Sequence, residues 1–410
     1  MRALPAVALA FGGAALGFAC GSEVADGSGP TTTAPDGSAD GSAPGIDGGP
    51  TTGPVSTSNC TLGAQRRVSN VPDESLRPVL AIGPSGAAVV WYDQGTTLPG
   101  AYFMPLGLDA TPTAPIRVPY QSPRFPSEPK IAWGGSDWLV SGLFEGSLKT
   151  ARFDTTGKVM APLFERALPE TAVTASLSST GSAYGAVWTT SAGALDFVVL
   201  DPTAAVVGSV VHLSSTAEAQ TEPRIVWNGT AFGLIWRDTR GAAPQLYFRT
   251  LDKAGQAPGA EMPIALQVAA ETALDLVWTG SGYAIGYHEG DADHVALLDP
   301  AGALVKGPAR IAGASGKAAT AHGPTLASHG GAVGVAFEWI DTAGGTETHR
   351  LYFVELDGAL ETRGGPLDVR EGADGQHGQT PSLVATPTGY MIAWSGLPAW
   401  DIFAATIQCK

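Results

Sequence analysis

Seven consecutive residues, His288-Glu289-Gly290-Asp291-Ala292-Asp293-His294, hold two imidazoles and three carboxylates, the densest collection of metal-ligating groups in the chain. Ligands of this kind could bind a divalent cation, but their spacing matches neither a zinc site nor an EF-hand loop. The segment therefore reads as a solvated acidic loop, with no metal assigned. The other histidines, His212, His322, His329, His349 and His377, have no partner at a recognisable spacing and none is marked as a general base. No serine sits in a nucleophile elbow, and no unpaired cysteine is expected inside the domain. Two carboxylates from different parts of the chain could still act together in glycoside hydrolysis, a geometry that sequence does not give.

The element that must position any such site is a repeat. Its clearest copy runs Glu222-Pro223-Arg224-Ile225-Val226-Trp227-Asn228-Gly229, continues to Trp236, and closes with Gln245 to Asp252 and a turn at Gly255. First strands are expected to begin near Pro78, Pro129, Ala172, Pro223, Thr272, Pro324 and Pro381, spaced by 43 to 57 residues, a propeller-blade period. Asn228-Gly229 and Thr279-Gly280 supply the positive φ of tight hairpins. Second strands end in a large aromatic (Trp91, Trp188, Trp236, Tyr287 and Trp394, with Phe337 and Trp339 sharing the place), which strand alternation would pack between blades. Third strands close on Asp109, Asp154, Asp201, Asp252, Asp299 and Asp357; one acid per repeat at a turn reads as backbone hydrogen bonding rather than calcium binding or catalysis.

Fourth strands follow six of these turns, whereas there are seven first strands. The missing one is expected at about Gln65 to Ser69, so that both termini build the last blade. Velcro closure of this kind brings Cys60 near Cys409, and the pair is expected to form a disulfide. The fold class is thus all-β: a seven-bladed β-propeller over residues 60–410.

Ahead of the propeller, residues 1–19 have the form of a signal peptide, with Arg2 followed by an apolar run to Ala19. The sequence up to Cys20 resembles a bacterial lipoprotein signal, although Leu16 sits one place early and Phe18 is bulky for a lipobox. Two readings stay open here, lipid attachment at Cys20 or ordinary cleavage after Ala19. The odd count of three cysteines favours the first, since Cys60 and Cys409 pair and leave Cys20. Residues 21–59 are almost entirely Gly, Ser, Thr, Ala, Pro and Asp, too poor in apolar surface to offset ordering entropy, and read as a disordered stalk.

In a blade of this topology, the hairpin between second and third strands emerges on the same face as the interblade loop. The candidate ligand-face residues there are Asp93, Arg237, Asp238, Arg240, His288 and Asp341. A net charge of −15 opposes binding to nucleic acid or anionic lipid. The domain resembles the secreted propeller-repeat lipoproteins of Gram-negative bacteria through its Pro, Trp-x-Gly, Trp, Leu-Asp, Gly pattern. It has no faithful Ser-x-Asp-x-Gly-x-x-Trp box of the sialidase type. The resemblance implies a surface or periplasmic location and no particular reaction. The tether, the stalk and loops without a nucleophile, base or cofactor motif lead to the expectation of a lipid-anchored monomer of the cell envelope that binds protein or glycan without a cofactor, with a lectin or glycan hydrolase as the alternative.

Overall fold

A computed structural model of the chain describes residues 58–410, apart from 70–73, 95–99, 120–128, 145–146, 168–171, 214–219, 258, 269–272, 313–315, 320–322, 342–347, 370–377 and 397–399. The signal peptide, Cys20 and nearly all of the stalk lie outside the described residues.

Among the described residues, thirty strands form seven antiparallel sheets. Two short strands come first, β1 (Cys60–Leu62) and β2 (Arg66–Arg67). Blade 1 contains β3 (Ser75–Gly83), β4 (Gly86–Asp93), β5 (Gly100–Leu106) and β6 (Ile116–Arg117). Blade 2 contains β7 (Lys130–Trp133), β8 (Trp138–Phe144), β9 (Ser147–Phe153) and β10 (Val159–Ala167). Blade 3 is β11 (Ala172–Ser179), β12 (Tyr184–Thr190), β13 (Leu195–Leu200) and β14 (Val206–His212). Blade 4 is β15 (Gln220–Trp227), β16 (Phe232–Asp238), β17 (Gln245–Leu251) and β18 (Met262–Gln267). Blade 5 runs β19 (Leu274–Trp278), β20 (Tyr283–Glu289), β21 (Ala292–Leu298) and β22 (Leu304–Ile311). Blade 6 is built from β23 (Lys317–Ala318) and β24 (Thr325–His329), both paired with β25 (Ala332–Asp341), then β26 (Thr348–Leu356) and β27 (Leu367–Asp368). Blade 7 combines β28 (Gly378–Thr386), β29 (Gly389–Gly396) and β30 (Asp401–Cys409) with β1 and β2, which both pair with β30. The ring is therefore closed by the two ends of the domain, as the count of outer strands requires.

Closure is covalent as well. Cys60 stands directly opposite Cys409 in the β1–β30 register and the two are disulfide-bonded. Cys60 thus begins a strand of its own rather than preceding the outer strand. A second clasp forms at the other end of β30, where Asp401 accepts from Arg67 (2.6 Å) and Ser69 (3.1 Å) while only 2% exposed.

The core is divided among the interfaces between blades. Trp91 packs with Met391, Ala393 and Ile402 of blade 7, Trp188 with Leu139 and Leu148 of blade 2, and Trp236 with Val187 and Phe197 of blade 3. Tyr287, Phe337 and Trp394 repeat this against blades 4, 5 and 6. Blade 2 carries Gly142 at this register, and its interface with blade 1 is filled by Trp138 and by Phe103 stacked on Phe153 at 4.2 Å. The six closing aspartates behave as turn residues. Asp252, for example, accepts from the N–H groups of Ala254 and Gln256 at 2.9 and 2.8 Å, and Asp201 from those of Thr203 and Ala205 at 2.7 and 3.0 Å. Hydrogen bonds of this kind hold Asp109, Asp154, Asp201 and Asp357 below the usual carboxylate range, the Thr hydroxyl leading for the first three and the Glu361 N–H for Asp357.

The prolines do not start the inner strands of blades 1, 4 and 7. β3, β15 and β28 each begin three residues before them, and each bulges at the proline. Arg77 and Pro78 together face Trp91, Glu222 and Pro223 face Trp236, and Thr380 and Pro381 face Trp394. Proline has no N–H to lose, so the unpaired place in a bulge suits it. The residue before it bears the cost: Arg77, Glu222 and Thr380 all adopt left-handed backbone, with φ of 55°, 53° and 51°.

Candidate functional site

The inner strands wall a central channel of about 590 Å³. Its lining comes from the middle of the longer inner strands, as at residues 174–177 of β11 and 380–383 of β28. At one register the seven blades contribute Val79, Lys130, Ser176, Arg224, Asp275, Thr325 and Ser382. The next residue in every blade is Leu or Ile, the largely buried ring Leu80, Ile131, Leu177, Ile225, Leu276, Leu326 and Leu383.

Three members of the polar ring fasten blade to blade. Ser176 accepts from the Ile225 N–H at 3.3 Å, Ser382 from the Leu80 N–H at 2.9 Å, and Asp275 from the Leu326 N–H at 2.7 Å. The other oxygen of Asp275 accepts from the Leu276 N–H at 2.8 Å, and Thr325 adds a hydroxyl at 3.3 Å. Burial pushes the Asp275 carboxyl up, opposed by the Leu326 N–H and by the charge of Arg224. Glu222 pairs with Arg224 at 3.2 Å.

Just outside the channel, residues that follow the interblade aromatics brace two of the three strained bulges and tie neighbouring strand ends elsewhere. Ser395 accepts from the Arg77 N–H at 3.3 Å and shares a 2.7 Å hydrogen bond with Thr380, while Glu338 accepts from the Thr380 N–H. Arg237 donates to Thr221 at 2.8 Å, and Thr189 meets Thr174 at 2.7 Å. At this register in blade 5 stands His288, bonded through Nδ1 to Asp293 at 3.0 Å, with exposures of only 3% and 0%. Hydrogen bonding to Asp293 raises the affinity of the imidazole for its proton. Desolvation pushes Glu338 up to about 8, with the charge of Asp293 acting in the same direction.

The histidine-rich segment is thus not a solvated acidic loop. Glu289 pairs with Ala292 across a tight hairpin whose Gly290 has positive φ, and alternation turns His288 and Asp293 to the interior. Tyr287 stacks on His294 on the other side. Among the described residues no three His, Cys, Asp or Glu side chains are grouped as metal ligands.

None of the six ligand-face candidates lines the channel. Asp93, Arg237, Asp238 and His288 are buried near the ends of second strands. Asp341 ends β25, opposite Thr348. Contact joins Asp238 to Arg240, which also bonds Glu261 at 2.7 Å and lies over the Tyr247 ring at 4.5 Å; these are ties within blade 4. Five of the candidates sit on second strands, one strand farther from the axis than the channel wall, and Arg240 lies just beyond β16. Lys130, Arg224 and Asp275 were missed because each follows or lies near the register of a repeat proline and reads as ordinary strand. The one available signal was that this register tolerates Val, Ser and Thr in other blades but carries charge in these three.

No protein-family model matches the chain, and no curated protein matches it. Solved structures do. The propeller domain of the trilobed protease from Pyrococcus furiosus, described as having an open velcro topology, is 10% identical with a TM-score of 0.48 over 81% of this chain and 95% of that one. The Dos1 propeller is 10% identical, with a TM-score of 0.47 over 85% and 95% of the two chains. An acylaminoacyl peptidase of Pyrococcus horikoshii is 11% identical at a TM-score of 0.47 over 79% of this chain, which spans about half (49%) of the peptidase's length. At such identities the likeness concerns fold alone, and the sheet order by itself makes the chain a seven-bladed β-propeller closed by strands from both of its ends.

Proposed function

We propose that this protein is a membrane-tethered, extracytoplasmic binding module that engages a protein or glycan through the face on which the interblade loops enter, without catalysis. A propeller fold is compatible with either a binding or a hydrolytic module. The observation that carries the binding reading is the state of the acids in the channel. Asp275 spends both oxygens on main-chain N–H groups of two blades, and Glu222 is ion-paired with Arg224. Carboxylates committed in this way hold the ring together and are poor candidates for the free acid and base of glycoside hydrolysis. The tether and stalk expected from residues 1–59 support display away from a membrane.

A hydrolase is the second reading, favoured by Glu338, a carboxylic acid kept protonated near neutral pH as a general acid would be. It ranks second because Glu338 is 2% exposed and does not line the channel. The test is to incubate the full-length protein with a cell-envelope fraction and a glycan array while assaying for released sugar or acid. Retention of a partner with no product supports binding. Turnover abolished by Glu338→Gln would establish the hydrolase instead.

A further inference from the structure

We propose that the mouth of the propeller opposite the interblade loops binds a neutral glycan, stacked on the half-buried indoles of Trp133, Trp227 and Trp278; this goes beyond the binding reading above, which concerns the other face. The Leu and Ile ring is the last to line the channel toward the ends of the inner strands. Two residues beyond it, where first strands end, blades 2, 4 and 5 carry Trp133, Trp227 and Trp278. The same register holds Ile82, Ser179, Ser328 and Ala385 in the other blades. Of the ten tryptophans six are buried, and three of the four half-buried ones stand here.

Packing does not require these indoles. Each meets edge-on the aromatic that opens the second strand, Trp133 on Trp138 at 4.7 Å, Trp227 on Phe232 at 4.8 Å and Trp278 on Tyr283 at 4.9 Å. Tyr184 and Tyr390 hold that second-strand place in blades 3 and 7, opposite Ser179 and Ala385, and are fully buried with no indole across from them. The repeat therefore closes its core without Trp at this register, and a repeat that departs from its own rule marks a place where function is expected. The edge-on contacts fix the planes of the three rings before any ligand arrives.

The polar groups of this mouth are open as well. Nε1 of Trp91 and of Trp188 is sealed in the core, whereas the Nε1–H groups of Trp133, Trp227 and Trp278 have no protein acceptor among the described residues and stay accessible. The exposed hydroxyls of Ser85, Ser136 and Ser281, in the turns between first and second strands, likewise have no protein partner among the described residues. A pyranose packs its C–H face on an aromatic ring while its hydroxyls bond N–H and O–H groups, so indoles beside serines suit a sugar.

Charge selects the kind of sugar. The chain carries −15, yet the seven turns between first and second strands contain a single ionisable residue, Asp137, which is 2% exposed and bonded to Arg152. Lys253 reaches the edge of this rim at Ser182 (3.4 Å), on blade 3, which has no indole here. An uncharged rim offers no partner to a carboxylate or phosphate that must shed its water, whereas a neutral glycan pays no such penalty.

The test titrates the full-length protein by calorimetry with maltotriose, cellotriose and N-acetylchitotriose, with trigalacturonate as the charged probe and with an apolar pentapeptide, at low and at high salt. Saturable binding of at least one neutral trisaccharide, insensitive to salt, is expected. Trp133→Ile and Trp278→Ile, to the residue type that blade 1 carries at this register, should each weaken it about tenfold. Ser136→Asp and Ser281→Asp charge the exposed rim without touching the core and should weaken it too, which keeps the test decisive if urea unfolding shows the Trp variants to be unstable. Trp400→Phe, ahead of β30 on the other face, should leave binding intact. No binding of any neutral trisaccharide at millimolar concentration, tighter binding of trigalacturonate or of the peptide, or full affinity in the Trp and Ser variants would overturn the proposal. If a partner from the envelope fraction is still retained in that case, this mouth fails as a glycan site while the reading of the loop face survives.

Discussion

Replacing Glu338 by Gln should stabilise the protein in mildly alkaline solution and leave it nearly unchanged at pH 5. Glu338 is 2% exposed, and its oxygen accepts the Thr380 N–H, a bond that the amide oxygen of Gln can also accept. Desolvation, with the charge of Asp293 adding to it, moves its carboxyl from a usual value near 4.5 to about 8. A folded-state value above the unfolded one means that the native state binds the extra proton between these limits. The contribution of Glu338 to stability is therefore complete below about 4.5 and lost as pH rises through about 8. Each tenfold in proton affinity is worth about 1.4 kcal/mol, which sets an upper limit of about 5 kcal/mol. Water entry and relaxation reduce it, and roughly 2–4 kcal/mol is the expected gain of Glu338→Gln over its parent between pH 5 and 9. Urea unfolding of both proteins at the two pH values, disulfide intact, measures the gap. A gap that stays constant or reverses sign would refute the reasoning, because it would mean that Glu338 is ionised in the folded protein and stabilised by a cation.

Two further outcomes follow from closure and packing. Replacing both Cys60 and Cys409 by Ser should lower stability by about 2–4 kcal/mol in urea unfolding, and the parent should lose the same amount on reduction while the variant loses nothing. Gly302→Ala should cost about 1–3 kcal/mol, because the residue has φ of 93° and an added Cβ would lie 1.9 Å from the Phe248 ring of the neighbouring blade; Gly259→Ala, with open space around it, serves as the mild control.

The architecture was readable in the sequence because every blade repeats the same solution to the same packing problem. The aromatic that closes the second strand recurs since each interblade core needs one, and Asp252 and its counterparts recur since each turn leaves the same N–H groups to satisfy. The Cys60–Cys409 bond followed from one missing outer strand. What escaped was set by register and by radius. Proline looked like the start of a strand, although in β3, β15 and β28 it occupies a bulge within one. His288 and Asp293 looked like a polar loop because the length of the hairpin, which turns both inward, is not written in the composition of the segment. The channel is a single site assembled from seven strands separated by whole blades, so no local window contains its pattern. Only after the blades are aligned do Lys130, Arg224 and Asp275 fall on one ring.

The central claim, that the protein binds a protein or glycan without turning it over, is tested most directly by incubating the full-length protein with a glycan array and a cell-envelope fraction and following both for released sugar or acid. The account predicts saturable retention of a partner that is recovered intact. Protein-dependent release of product, or no retention from either source, would contradict it.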